Sequence, residues 1–175
     1  VRDKDKLDIE GARKKIEGCL KKNFYYWGRE WPYKDVKPRI IVEEYMEDKS
    51  KDLKDYKVHC FNGKPKYIQV IGNRILENHE ANQLFYDFDW RDAGWAFGDY
   101  PPYEYELERP YGLSEMYDVA MKLSKGMRYL RVDLYEINQK VYFGELTFYP
   151  KAGFYPYNKL YKYETDLFLG SLLSL

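Results

Sequence analysis

A chain of 175 residues is long enough to bury one sizeable core, and its 29 Lys and Arg against 29 Asp and Glu leave no net charge, which excludes a nucleic-acid binder held by surplus cations. Two cysteines (Cys19, Cys60) and two histidines (His59, His79) are too few for a zinc cluster or a disulfide framework. No apolar run approaches the roughly 20 residues of a membrane-spanning helix, so the expectation is a reduced, cytoplasmic protein with no transmembrane segment.

Residues 8–22 read as a helix. Ile9, Ala12, Ile16 and Leu20 recur at helical spacing, Asp8 suits the cap, and Lys21 and Lys22 suit the negative C-terminal end. An aromatic connector, FYYWGREWPYKDVKP, follows. Pro38 then releases RIIVEEYM, whose run Ile40-Ile41-Val42 fits a strand buried on both faces. DYKVHCF and PKYIQVI flank Asn62-Gly63, a strong hairpin signal because both residues accept positive φ. From Asn78 to Pro110 the pattern dissolves into rings, acids, Gly and Pro, which reads as a long irregular excursion.

A second helix is expected over Ser114–Lys125, with Met116, Val119, Ala120 and Leu123 on one face and Gly126 as its stop. YLRVDLYEI and KVYFGELTFYP form another hairpin, and LFLGSLLSL reads as a short docking helix. Helices interspersed with antiparallel strands make the class α+β.

The last hairpin is the most informative. If Asn138-Gln139-Lys140 closes it, Asp133 faces Glu145, Arg131 faces Thr147 and Tyr135 faces Phe143. Directly opposed carboxylates repel, and a divalent cation removes the repulsion by taking their oxygens. The alternative is a solvated face that binds nothing. Arg39, Lys57, Arg74 and Arg131 lie on or beside strands, where they suit a phosphate chain or else ordinary ion pairing. His59 reads as a half-buried side chain and Cys60 as core. No Gly-rich phosphate loop and no Gly-x-Ser-x-Gly elbow is present. The aromatic fraction is high at 19%, and FYYWGREWPY and YDFDWRDAGWAFGDYPPYEY alternate rings with charges. Such rings stack sugars or simply pack a loop-rich domain.

PRIIVEEYM, DYKVHCFNGKPKYIQV followed by Arg74, FYDFDW and RVDLYEINQKVYFGELTFYPKAGF closely resemble the TupA-like ATP-grasp family. The likeness runs from about Lys37 to the C-terminal LGSLL. The family is associated with teichuronopeptide and capsular or exopolysaccharide biosynthesis, and its members are often labelled glycosyltransferases. The resemblance implies ATP and Mg²⁺ as cofactors and an ATP-grasp-like fold. Glu43, Glu44, Tyr45 and Met46 look like the hinge against adenine, with Glu47 or Asp48 toward the ribose. Lys57 and Arg74 look like cations around the triphosphate, joined by Arg131 in stabilising the transferred group. Asp133 and Glu145 look like the Mg²⁺ ligands, with Thr147 where most ATP-grasp enzymes have Asn.

The family's glycine-containing phosphate loop and further lysine have no match in residues 1–36. The chain, which begins with Val, is therefore expected to be a fragment, a single domain holding the C-terminal part of the ATP-binding domain, and to bind ATP poorly alone. The function implied is ATP-dependent ligation of a carboxylate to an amine or hydroxyl acceptor, with a polysaccharide, uronic-acid or amino-acid unit as the acceptor. The alternatives are a glycosyltransferase using a nucleotide sugar and a non-catalytic carbohydrate-binding module.

Overall fold

Two tight turns set the frame of the sheet. Asn62 and Gly63, with φ of 50° and 73°, join β1 (Asp55–Phe61) to β2 (Lys64–Ile75). Asn138 and Gln139, with φ of 51° and 66°, join β4 (Tyr129–Ile137) to β5 (Lys140–Thr147). Left-handed residue pairs match the twist of the strands they connect. The computed structural model describes residues 3–47, 49, 52–75 and 80–174. The chain divides into two units, Val1–Met46 and Glu47–Leu175.

The first unit carries α1 (Ile9–Leu20) and the four-residue α2 (Tyr25–Gly28). Asp8 caps α1 as expected, its carboxylate accepting from the Gly11 N–H at 2.9 Å. The expected strand over residues 39–46 does not form: that segment is neither helix nor strand. Ile40, Ile41 and Val42 are 54%, 81% and 90% exposed. A strand buried on both faces needs partner strands and covering layers, and no other residue described in this unit is in a strand.

The second unit is built on five antiparallel strands in the order β3-β2-β1-β4-β5, with β3 spanning Glu80–Tyr86. Alternation assigns the faces. Tyr56, Val58, Cys60, Ile68, Val70, Leu130, Val132 and Leu134 form one apolar cluster with Leu113, Met116 and Ala120 of α3 (Leu113–Leu123). Each Val, Leu or Ile so buried contributes about 1.5–3 kcal/mol. Gly126, at φ 78°, follows that helix, and α4 (Tyr163–Ser171) covers part of the expected terminal helix.

β3 corrects the reading of residues 78–110 as one irregular excursion, although 87–112 is irregular. Its pattern is obscured by Gln83, which is fully buried yet polar. Gln69 Nε2 donates to Gln83 Oε1 at 2.6 Å, and Gln83 Nε2 donates to the Phe97 carbonyl at 2.7 Å. Tertiary hydrogen bonds thus stand in for the apolar residue that local patterning would require.

The β4–β5 register holds Asp133 opposite Glu145 and Arg131 opposite Thr147. The route differs from the expected one. The loop has two residues rather than three, and a bulge after Asp133 restores the offset, so Tyr135 faces Tyr142 rather than Phe143.

Candidate active site on the second sheet face

The face away from the apolar cluster is charged. In β1, Asp55, Lys57 and His59 alternate with Tyr56, Val58 and Cys60, and their β4 partners are Tyr135, Asp133 and Arg131. Glu145 and Thr147 continue the two rows onto β5.

One hydrogen-bonded chain links these side chains. Arg74 reaches Asp55 Oδ2 at 2.8 Å, and Lys57 Nζ lies 2.8 Å from the same oxygen. Lys57 also donates to Asp133 Oδ2. Arg131 grips Asp133 with two parallel bonds, Nε to Oδ1 and Nη2 to Oδ2, both at 2.7 Å. The same Nη2 is 3.1 Å from Glu145 Oε1 and 3.0 Å from Thr147 Oγ1, while the Thr147 hydroxyl donates to Glu145 at 2.7 Å. Three carboxylates and three cations thereby balance.

The chain has a buried floor and an open rim. Asp133 is 1% exposed, whereas the side chains of Glu145 and Arg74 are 62% and 40% exposed. Burial would raise the Asp133 pKa, but the hydrogen bonds and charge of Arg131, aided by Lys57, hold it below the ordinary carboxylate range. Burial dominates at Asp55 and pushes its pKa up against Lys57 and Arg74. Asp55 Oδ1 has no hydrogen bond. His59 is buried, with Nδ1 2.8 Å from the Tyr129 hydroxyl. Desolvation, reinforced by the nearby Arg131 charge, lowers its pKa to about 3, so the ring is neutral.

The structure brings together Lys57, Arg74, Arg131, Asp133, Glu145 and Thr147 from β1, β2, β4 and β5. Glu43, Glu44, Tyr45 and Met46 lie in the first unit, in the segment that forms no strand, and Asp48 lies outside the described residues. Asp55 was not anticipated. The alternation Asp-Tyr-Lys-Val-His-Cys places it on the Lys57 face, and that spacing was the available signal.

The donors Asp133, Glu145 and Thr147 are all hard oxygens. The two acids already converge on a single cationic nitrogen of Arg131, so they fit a small divalent cation that completes its shell with phosphate oxygens and water. Among the described residues, no three His, Cys, Asp or Glu side chains come together to hold a metal ion. A cation here would therefore share its site with substrate oxygens.

An α+β unit whose sheet carries paired acids flanked by basic side chains is consistent with an ATP-grasp-like fold. A family model described as TupA-like ATPgrasp matches residues 1–174, and the chain belongs to that family. Neither the curated proteins nor the solved structures contain a match to the chain. Among the described residues no helix is long and apolar enough to cross a membrane.

Proposed function

We propose that the protein uses Mg-ATP to ligate a carboxylate to an amine or hydroxyl acceptor in the biosynthesis of a cell-surface polysaccharide or teichuronopeptide. The observation that carries this reading is the charge-balanced chain on one sheet face in a member of the TupA-like ATP-grasp family. Such a set can exchange internal ion pairs for a triphosphate and a divalent cation without leaving an unpaired buried charge.

Asp133 and Glu145 would hold the metal, with Thr147 orienting Glu145 through its hydroxyl or joining the ligands. Bound there, Mg²⁺ supplies charge neutralisation at the transferring phosphoryl group. Lys57, fixed between Asp55 and Asp133, presents its ammonium to phosphate oxygens from the floor of the site. Arg74, on the open rim, turns from Asp55 toward the distal phosphates. Arg131 releases Glu145 while keeping both bonds to Asp133, and so stays in place as a rigid cation. Glu43, Glu44, Tyr45, Met46 and Asp48 are proposed to contact the adenosine moiety.

The test is a thermal-shift series on the full-length protein with ATP, UDP-sugars and GDP-sugars, each with and without Mg²⁺. A magnesium-dependent rise with ATP is expected. A rise only with a nucleotide sugar would replace this reading with glycosyl transfer.

A further inference from the structure

A cavity of about 310 Å³ opens beside the charged rows, within the second unit, and the proposed ATP chemistry makes no use of it. His59 and Tyr129 tie it to the site, because His59 is the cross-strand partner of Arg131 and Tyr129 stands two residues before Arg131 on β4. Its walls are rings. Phe97 and Tyr155 stack with centroids 3.6 Å apart and planes 9° apart, and Tyr161 meets Phe97 edge-on at 5.0 Å. Trp95 and the Leu169 of α4 line it as well.

Among the lining residues, Asp166 alone carries a formal charge, since His59 is neutral. The hydroxyls of Tyr157 and Tyr161 each donate to one Asp166 oxygen and fix the carboxylate at the pocket wall. No Lys or Arg pairs with Asp166 among the described residues. This is the reverse of the neighbouring charged rows, where every carboxylate has a cationic partner.

The physics of such a pocket selects by charge. Aromatic faces carry negative electrostatic potential, which attracts a desolvated cation placed over them. A carboxylate or phosphate would meet repulsion from the rings and from Asp166 together, and the Arg131 guanidinium behind His59 is already paired with Asp133. A neutral sugar would gain contact area and leave Asp166 without a counter-charge.

We propose that this pocket binds an organic ammonium group, with Asp166 as its counter-charge, and receives the amine-bearing acceptor of the ligation. Its role as acceptor site rests on the ligase reading, whereas ammonium binding does not.

The test is an NMR titration of this chain without nucleotide or divalent cation, following the Trp95 indole N–H. The probes are n-butylammonium chloride, sodium butyrate and methyl α-glucoside, with sodium chloride as the ionic control. Saturable shifts are expected with butylammonium, and butyrate should bind at least roughly tenfold more weakly. Asp166→Asn should weaken butylammonium about fivefold, the upper range for an exposed charge pair. Tyr155→Leu removes a ring face while keeping apolar bulk and should weaken it likewise, which keeps the test valid if the first variant disturbs the fold. Equal or tighter binding of butyrate or glucoside overturns the proposal, as does unchanged affinity in both variants or silence with all three probes. Ammonium binding here, together with a full-length protein that ignores Mg-ATP, would sink the ligase reading and leave the pocket assignment standing.

Discussion

Asp133 and Glu145 face each other across β4 and β5, and one nitrogen of Arg131 bridges them, 2.7 Å from the first and 3.1 Å from the second. The arginine thus occupies the place where the like-charge repulsion of the pair would be greatest. Its two bonds to Asp133 are buried, and its contact with Glu145 lies on the open side. The carboxylates consequently differ. Asp133 is a buried floor held by Arg131 and Lys57, and Glu145 is the exposed member of the pair, held at its rim by Arg131 and Thr147.

Glu145→Gln tests that division. The side chain is 62% exposed, so replacing it should change stability by under about 1 kcal/mol. Mg-ATP turnover in the full-length protein should nevertheless be abolished, because a Mg²⁺ site built on one or two carboxylates loses the negative charge of one of them. Turnover and urea denaturation measured on the same preparation separate the two effects. Full activity would remove Glu145 from the proposed metal site.

Arg131→Met should act in the opposite sense on stability. It leaves Asp133, 1% exposed, with Lys57 as its remaining cation and leaves Glu145 opposed to it without a bridge. Breaking a buried pair from one side costs about 3 kcal/mol. Millimolar Mg²⁺ should restore part of that loss, raising the unfolding midpoint of the variant more than that of the wild type. An identical response of both proteins to Mg²⁺ would show that no cation enters between the acids.

Much of this site was legible because strand alternation and turn chemistry are local properties. Asp133 and Glu145 could be set opposite each other from the hairpin alone. That success contained two offsetting errors, since the two-residue loop and the bulge each shift the register by one. Tyr135, beyond the bulge, exposes the difference by facing Tyr142. β3 was not legible because Gln83 is held by Gln69 and Phe97, which lie 14 residues away on either side. The run Ile40-Ile41-Val42 misled because apolarity signals burial only where partners exist to cover it.

The same hairpin offers a stability test. Gln139 holds φ at 66°, a left-handed conformation that side chains with a Cβ resist and glycine accepts. Gln139→Gly should therefore stabilise the protein by about 0.5–1 kcal/mol, read as a higher urea midpoint. A lower midpoint would mean that flexibility gained in the unfolded chain outweighs the strain relieved.

His59 predicts an acid sensitivity. Its folded pKa of about 3 lies below the ordinary histidine value of 6.5, because burial and the Arg131 charge oppose protonation. The unfolded chain then binds the proton first, so the stability contributed by this residue is complete above pH 6.5 and falls as pH drops toward 3. From pH 7 to pH 5 the loss is about 2 kcal/mol. His59→Gln, which has no titrating ring, should show a correspondingly flatter stability profile over that interval. Parallel profiles for the two proteins would contradict a neutral buried ring.

Gly144 links the bulge to the chemistry. A Cβ at this position would stand 2.9 Å from Tyr135 Cε2 and 3.0 Å from the Asp133 carbonyl oxygen. The ring can swing aside, but the carbonyl belongs to the backbone of the very residue that the bulge offsets, so the strain falls on the register. Gly144→Ala should destabilise by about 1–3 kcal/mol, and it should also shift Glu145 relative to Asp133. The loss of Mg-ATP turnover should accordingly exceed what the unfolded fraction accounts for. Gly18→Ala provides the contrast: it sits in α1, and beyond its chain neighbours and its own helix no atom lies within 4 Å of the added Cβ. That change should raise stability by about 0.5–1 kcal/mol without touching turnover. If Gly144→Ala behaves like Gly18→Ala in both assays, the bulge does not position the acids.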